Sequence, residues 1–144
     1  MFKNILVPTD GSAMSQKAAI RGVKLAKALG ARVTAFFAAP PATPVIFRKG
    51  IPVGLSQPRE HAKAIDRAAA RHLGAIARAA KSARVRFEGV HTTNDYPAQA
   101  ILKIAKKKKC DLIVMATQGD RGLFDTSVTE KVLEDIRIPV LVLR

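Results

Sequence analysis

The sequence contains a single cysteine, Cys110, and no long apolar run. One cysteine excludes an intrachain disulfide and a cysteine-based metal cluster, and at the start of an apolar segment Cys110 is best interpreted as a small core residue. No stretch approaches the roughly 20 apolar residues that a membrane span requires. Met1 leads directly into an apolar segment without a signal-peptide pattern. We therefore expect a cytoplasmic protein without a membrane partner.

Acidic and aromatic residues are also scarce. The chain has 11 acidic against 25 basic residues, a formal net charge of +14, with no tryptophan and one tyrosine. This charge favours polyanionic partners, or it reflects a basic surface that is simply solvated. Binding of single-stranded nucleic acid usually adds stacked aromatic rings to a basic groove, so the composition argues against nucleic acid as the main partner.

Apolar segments and helical patterns alternate along the 144 residues, a length that fits one domain, residues 1–144. Short apolar segments predict five strands, at Phe2–Pro8, Arg32–Ala39, Arg84–His91, Asp111–Met115 and Pro139–Leu143. Apolar residues at helical spacing predict four helices, at Ser12–Leu29, Arg59–Lys81, Ala98–Lys109 and Ser127–Asp135. The alternation predicts a single doubly wound α/β domain with a parallel sheet. Right-handed crossovers place the first strand centrally beside the fourth.

The last predicted strand, Pro139–Leu143, would lie at an edge of this sheet, where an apolar strand can pair with another chain. We therefore expect a homodimer. The segment Pro40–Pro58 contains five of the eight prolines and is predicted to lack regular secondary structure. A loop of this length is typical of a lid or a partner surface, or it is mobile. Asn94 or Asp95 is the expected N-cap of the third helix.

Two segments combine a buried strand with a polar, glycine-containing loop and a helix start. They are Ile5–Ser12 and Asp111–Thr129. In an open parallel sheet, neighbouring loops of this kind form the crevice in which ligands bind. Backbone N–H groups and the positive end of a helix dipole would favour an anion, with phosphate as the obvious candidate.

These segments resemble the universal stress protein family, and the resemblance covers the whole chain. It rests on KNILVPTDGS (Lys3–Ser12), AIRGVKLAKALGA ending at Ala31, CDLIVMAT (Cys110–Thr117) and SVTEKVLEDIRIPVLVL (Ser127–Leu143). The resemblance implies a Rossmann-like sheet of order 3-2-1-4-5 and dimers formed through the last strand. For nucleotide-binding members it also implies an adenine nucleotide such as ATP, with Mg²⁺ carried by the phosphates.

The resemblance further implies binding positions. Asp10 matches the aspartate that contacts the nucleoside, Val33 matches an adenine-side position, and Ser127 matches the phosphate-side hydroxyl. The other matched positions are Pro8, Thr9, Met115, Gly119, Val128 and Thr129. Asp10 can alternatively serve as a turn or helix-entry residue. Ser127 and Thr129 can serve as helix caps, a role that is compatible with phosphate binding.

The glycine pattern after the fourth strand departs from that of the family, which has Gly, two residues, Gly, nine residues, Gly and then Ser or Thr. Ala116 stands at the first glycine position, Gly119 at the second and Thr126 at the third. Six residues separate Gly119 from Thr126. Three residues fewer shorten the reach of the loop by up to about 10 Å, and a side chain at a position that needs positive φ costs roughly 1–2 kcal/mol.

No catalytic arrangement is evident. His61, His72 and His91 lack a partner pattern for an activated nucleophile. Asp120 and Asp125 leave slow ATP hydrolysis open, so enzymatic activity is not predicted but stays undecided. Three functions remain: a non-catalytic adenine-nucleotide sensor, a nucleotide-independent dimeric interaction module of the same family, and a basic polyanion binder.

Overall fold

A computed structural model describes residues 1–39, 46–48, 51–53, 58–92, 96–117 and 126–144. The strands are β1 (Asn4–Thr9), β2 (Arg32–Ala38), β3 (Ile46–Arg48), β4 (Ile51–Val53), β5 (Phe87–Thr92), β6 (Leu112–Ala116) and β7 (Val140–Leu143). The helices are α1 (Ala13–Leu29), α2 (Pro58–Ala83), α3 (Pro97–Lys107) and α4 (Thr126–Asp135).

The main sheet has five parallel strands in the order β5-β2-β1-β6-β7. Counting only these five strands along the chain, the order is 3-2-1-4-5, which confirms the predicted doubly wound α/β fold. β1 and β6 are buried along their whole length, as expected for central strands covered on both faces. β7 lies at one edge, and its Leu141 is 43% exposed.

Two apolar clusters fill the two faces of the sheet. Ile5, Val7 and Phe37 belong to a cluster with residues of α1 and α2. Leu6 and Met115 belong to a second cluster with residues of α3 and α4. Successive residues of a strand point to opposite faces, so the cluster to which a residue belongs identifies its face. We call these the α1/α2 face and the α3/α4 face.

Helix α1 approaches the sheet closely at Gly22. A Cβ atom added at Gly22 would lie 2.4 Å from Val7 Cγ1, closer than two carbon atoms can pack. The absence of a side chain at this position therefore lets α1 sit directly on β1. Ser12 caps the start of this helix, and Gly30, in the left-handed conformation, ends it.

Two local predictions were wrong. Pro40–Pro58 was predicted to have no regular structure, but β3 and β4 form an antiparallel hairpin in which Phe47 pairs with Pro52. A proline is tolerated here because a two-stranded ladder has an open side for a residue that lacks an N–H. The N-cap of α3 is Tyr96, which makes no side-chain capping bond. Asn94 and Asp95 lie outside the described residues.

In the described part of the chain, no helix is both long and apolar enough to cross a membrane. Cys110 is 6% exposed and belongs to the α3/α4 cluster, so its interpretation as a core residue is confirmed.

Candidate functional site

The first loop, Asp10–Ser12, connects β1 to α1 and is held by its own side chains. Asp10 Oδ1 accepts hydrogen bonds from the Ser12 backbone N–H at 2.9 Å and from Ser15 Oγ at 2.7 Å. Ser12 Oγ in turn accepts from the Ser15 backbone N–H at 3.3 Å. The Asp10 carboxylate therefore orders the entry into α1, which is the helix-entry role that the sequence left open.

Thr9 supports this loop from below and is fully buried. Its Oγ1 donates to Gln16 Oε1 at 2.6 Å, accepts from the Gly11 backbone N–H at 3.1 Å, and lies 2.9 Å from Ser15 Oγ. The alternation along β1 turns Thr9 to the α1/α2 face, where α1 supplies these partners. Its hydroxyl is thus engaged within the protein and braces the loop.

Helix α2 contacts the first loop through His72. A Cβ atom added at Gly11, whose φ is 86°, would lie 2.6 Å from His72 Nε2. The imidazole also stacks on Phe37 at the end of β2, with ring centroids 5.6 Å apart. Gln16 Nε2 donates to the His72 carbonyl oxygen at 3.1 Å. Gly11 is therefore required both by its positive φ and by the closeness of the imidazole ring.

The environment of His72 disfavours its charged form. Burial lowers the pKa of His72, and the positive charge of Arg71 lowers it further, while the carboxylate of Asp10 acts in the opposite direction. The neutral imidazole is therefore the form that fits between the first loop and Phe37.

Pro8 and Met115 come together on the other face of the sheet. β1 and β6 pair with Ile5 opposite Leu112 and Leu6 opposite Ile113, and extending this register by two residues sets Pro8 opposite Met115. Both residues are buried at the carboxyl ends of their strands, and both face α3 and α4 by the alternation of the strands. Ala116 follows, 1% exposed, as the last residue of β6.

Val33 does not reach this edge. It pairs with Ile5 near the start of β2 and belongs to the α1/α2 cluster. Phe37, which pairs with Thr9, is four residues further along β2, a distance of about 13 Å. The position of Val33 therefore does not support the adenine contact expected of it. Two β2 residues share the face of Pro8 and Met115: Phe36, which pairs with Pro8, and Ala38, the last residue of β2.

The start of α4 supplies the remaining described positions. Helix α4 begins at Thr126, and along its first turn Ser127 is exposed, Val128 is half-buried and Thr129 is 6% exposed. A cavity of about 340 Å³ lies between this helix start and the start of α3. Its lining includes Tyr96, Gln99, Ser127, Val128 and Lys131.

Two helix N-termini and one lysine thus border the same cavity, an arrangement that favours an anion. Gly119, the remaining predicted position, lies outside the described residues. Asp120 and Asp125 also lie outside them, so the structure does not describe the carboxylates considered for slow hydrolysis.

Comparison with known proteins identifies the family. The model of the universal stress protein family matches residues 1–144. A universal stress protein of Methanocaldococcus jannaschii is 34% identical over 151 residues, which cover 100% of this chain and 83% of the relative. The chain belongs to the universal stress protein family.

Solved structures of universal stress proteins share the fold. One determined in complex with cAMP has a TM-score of 0.67 at 21% identity and covers 99% of this chain and 97% of its own. Another, from Archaeoglobus fulgidus in complex with dAMP, has a TM-score of 0.66 at 16% identity and covers 99% of this chain and 98% of its own.

The sequence patterns did not identify three residues of this universal stress protein that lie at or beside the candidate site. Ala38 could have been found by continuing the alternation along β2 to its carboxyl end, where a ligand would lie. His72 and Tyr96 carried no such signal, because their positions depend on how α2 and α3 pack against the sheet. Among the described residues, no group of three His, Cys, Asp or Glu side chains could hold a metal ion.

Proposed function

We propose that this universal stress protein binds an adenine nucleotide, with ATP as the leading candidate, and acts as a non-catalytic sensor in the stress response. The observation that carries the proposal is the convergence of Pro8, Met115 and the first loop at the carboxyl edge of adjacent strands. The starts of α3 and α4 add a cavity that favours anions. The cAMP and dAMP complexes of structurally similar family members support the choice of ligand.

Each part of the nucleotide has a matching surface. The apolar side chains of Pro8, Ala38 and Met115 share one face and would contact the base. Asp10, already fixed by its bonds to Ser12 and Ser15, would present its carboxylate to the ribose hydroxyls without a further loss of side-chain entropy. Phosphates would lie at the start of α4 beside Ser127, as anions do at helix N-termini. Mg²⁺ would arrive on those phosphates, its usual mode of binding in nucleotide sites.

A thermal shift experiment tests this proposal. Asp10→Asn keeps the Oδ1 acceptor that orders the first loop and removes only the charge, whereas Asp10→Ala would also remove the acceptor. Mg-ATP at about 100 times its Kd should stabilise the wild type by about 2.7 kcal/mol. We expect a smaller shift with GTP, and a much smaller ATP shift for Asp10→Asn.

Glu134→Gln is the matched control, because it neutralises an exposed carboxylate on α4 and should leave the ATP shift unchanged. An equal shift with ATP and GTP would contradict adenine recognition. No shift with either nucleotide at millimolar concentration would contradict the proposal as a whole.

The second candidate is a dimeric interaction module of the same family that does not need nucleotide. It is favoured by the position of β7 at the sheet edge, with Leu141 43% exposed, and by the alanine and threonine at two glycine positions of the family pattern. A homodimer through Pro139–Leu143 is compatible with both candidates. Sedimentation velocity without nucleotide would test for it. A cytoplasmic location stays a prediction from the sequence.

A further inference from the structure

A second cavity lies at the opposite end of the sheet from the nucleotide site. Its volume is about 650 Å³, within the range of 300–1,000 Å³ that is typical of small-molecule sites. It is bordered by the end of α3, the end of α4 and the residues that lead into β6 and β7. No part of the proposed nucleotide site contributes to it.

The floor of this cavity is apolar. Leu102 and Ala105 of α3, Cys110 before β6, and Ile136 and Ile138 after α4 line it. Burial raises the pKa of the Cys110 thiol to about 11, as expected where water has little access to the sulfur atom. A floor of this kind favours the hydrocarbon part of a ligand and disfavours a charged group.

The rim of the cavity is basic. Lys106, Lys109 and Arg137 border it, and Asp135 is the one acidic residue in its lining. Among the described residues, none of these three cations lies within 4.0 Å of a carboxylate. The ends of α3 and α4 each contribute a partial negative charge of about −0.5. The three cations exceed the sum of Asp135 and these two helix ends, so the rim has a net positive charge.

We propose that this cavity binds a small organic anion with an apolar body, of which a medium-chain carboxylate is the simplest example. The hydrocarbon part lies on Leu102, Ala105 and Ile138. The carboxylate stays at the rim, where Lys106, Lys109 and Arg137 stabilise it without full loss of its hydration. An uncharged ligand of the same shape loses the rim contacts, and a cationic ligand is repelled.

Alkylation of Cys110 reports on this cavity alone, because the chain has no other cysteine. It is followed at about pH 9, since the buried thiol with its raised pKa reacts slowly. N-ethylmaleimide is uncharged, so the rim does not attract or repel it, and decanoate is a suitable probe ligand. At ten times its Kd, decanoate should slow the alkylation about tenfold. Decanol and decyltrimethylammonium should protect far less at equal concentration. Hexanoate should require higher concentrations than decanoate because it covers less of the apolar floor.

A pair of variants tests the role of the rim. Lys109→Gln combined with Arg137→Gln removes two rim cations, and Lys63→Gln combined with Arg67→Gln removes two exposed cations of α2 as the matched control. We expect the rim variant to raise the Kd of decanoate about fivefold for each cation removed. The α2 variant should bind decanoate as the wild type does.

Three outcomes would overturn the proposal. The first is unchanged alkylation with millimolar decanoate, and the second is equal weakening in the two double variants. The third is protection of Cys110 that grows with protein concentration in the absence of any ligand, since that would show a second copy of the chain covering the cavity.

Discussion

The first loop, Asp10–Ser12, and the second loop, residues 117–125, leave neighbouring strands, yet their sequences differ in how far they keep the family pattern. The first is short. Thr9, Asp10 and Ser15 hold it through hydrogen bonds whose donors and acceptors all lie within residues 9–15. The second joins β6 to α4 after Ala116, where the family pattern has glycine, and residues 118–125 lie outside the described part of the chain. The first loop is therefore fixed by its own side chains without a ligand, whereas the second departs from the glycine pattern of the family at its start.

The largest effect is expected at Gly11. Gly11→Ala should destabilise the protein by about 3 kcal/mol, because it combines the cost of a side chain at positive φ with overlap against the His72 ring. Urea unfolding measures the change. Gly30→Ala is the control, since Gly30 also has positive φ but a Cβ atom there would meet nothing within 4 Å. Equal losses of stability in the two variants would show that the His72 ring moves aside at no energetic cost.

An intermediate effect is expected from the hydroxyl of Thr9. Thr9→Val keeps the shape of the side chain and removes the bonds to Gln16 and Gly11, which should cost about 1–2 kcal/mol of stability because both partners are partly shielded from water. Ser127→Ala, at the exposed start of α4, should lower stability by about 0.5 kcal/mol or less but should weaken the binding of ATP. Unfolding by urea and titration with ATP separate the two effects. If Ser127→Ala destabilised the protein as much as Thr9→Val, the contrast between the loops would be lost.

The smallest effect is expected from acidification. The pKa of His72 is lowered in the folded protein from its ordinary value of 6.5, so below about pH 6.5 the unfolded chain binds more protons than the folded one. Stability should therefore decrease as the pH falls from 7.5 through 6.5 towards the folded pKa, and the decrease should end below it. His72→Gln should show a shallower decrease in unfolding experiments over the same range. An identical pH profile in wild type and variant would contradict a lowered pKa.

The residue patterns were sufficient for the five main strands, the central place of the first strand beside the fourth, and the first loop, while the full strand order was implied by the family resemblance. Strands such as β1 and β6 are apolar throughout, and the connections between parallel strands have one preferred hand, so few topologies remained. Asp10 and Ser12 act within a few residues of each other, which makes a helix start readable from local pattern alone.

The remaining errors arose where distant contacts decide the outcome. The β3–β4 hairpin was missed because prolines weigh against strands in any local assessment, while Pro52 needs only an open side of the ladder. Val33 was assigned to the site by its likeness to a family position, but the register against Ile5 places it near the start of β2. His72 could not be assigned because only the packing of α2 brings it to Gly11.

The close contact between Gly22 and Val7 has a consequence for the evolution of this protein. Because α1 rests on β1 without an intervening side chain, the depth at which this helix sits also sets the height of Ser12 and Ser15 above the end of the strand. A methyl group acquired at position 22, two turns away, would lift the helix and tilt the first loop with it. The geometry of the proposed nucleotide site can therefore change through a residue that lies outside it.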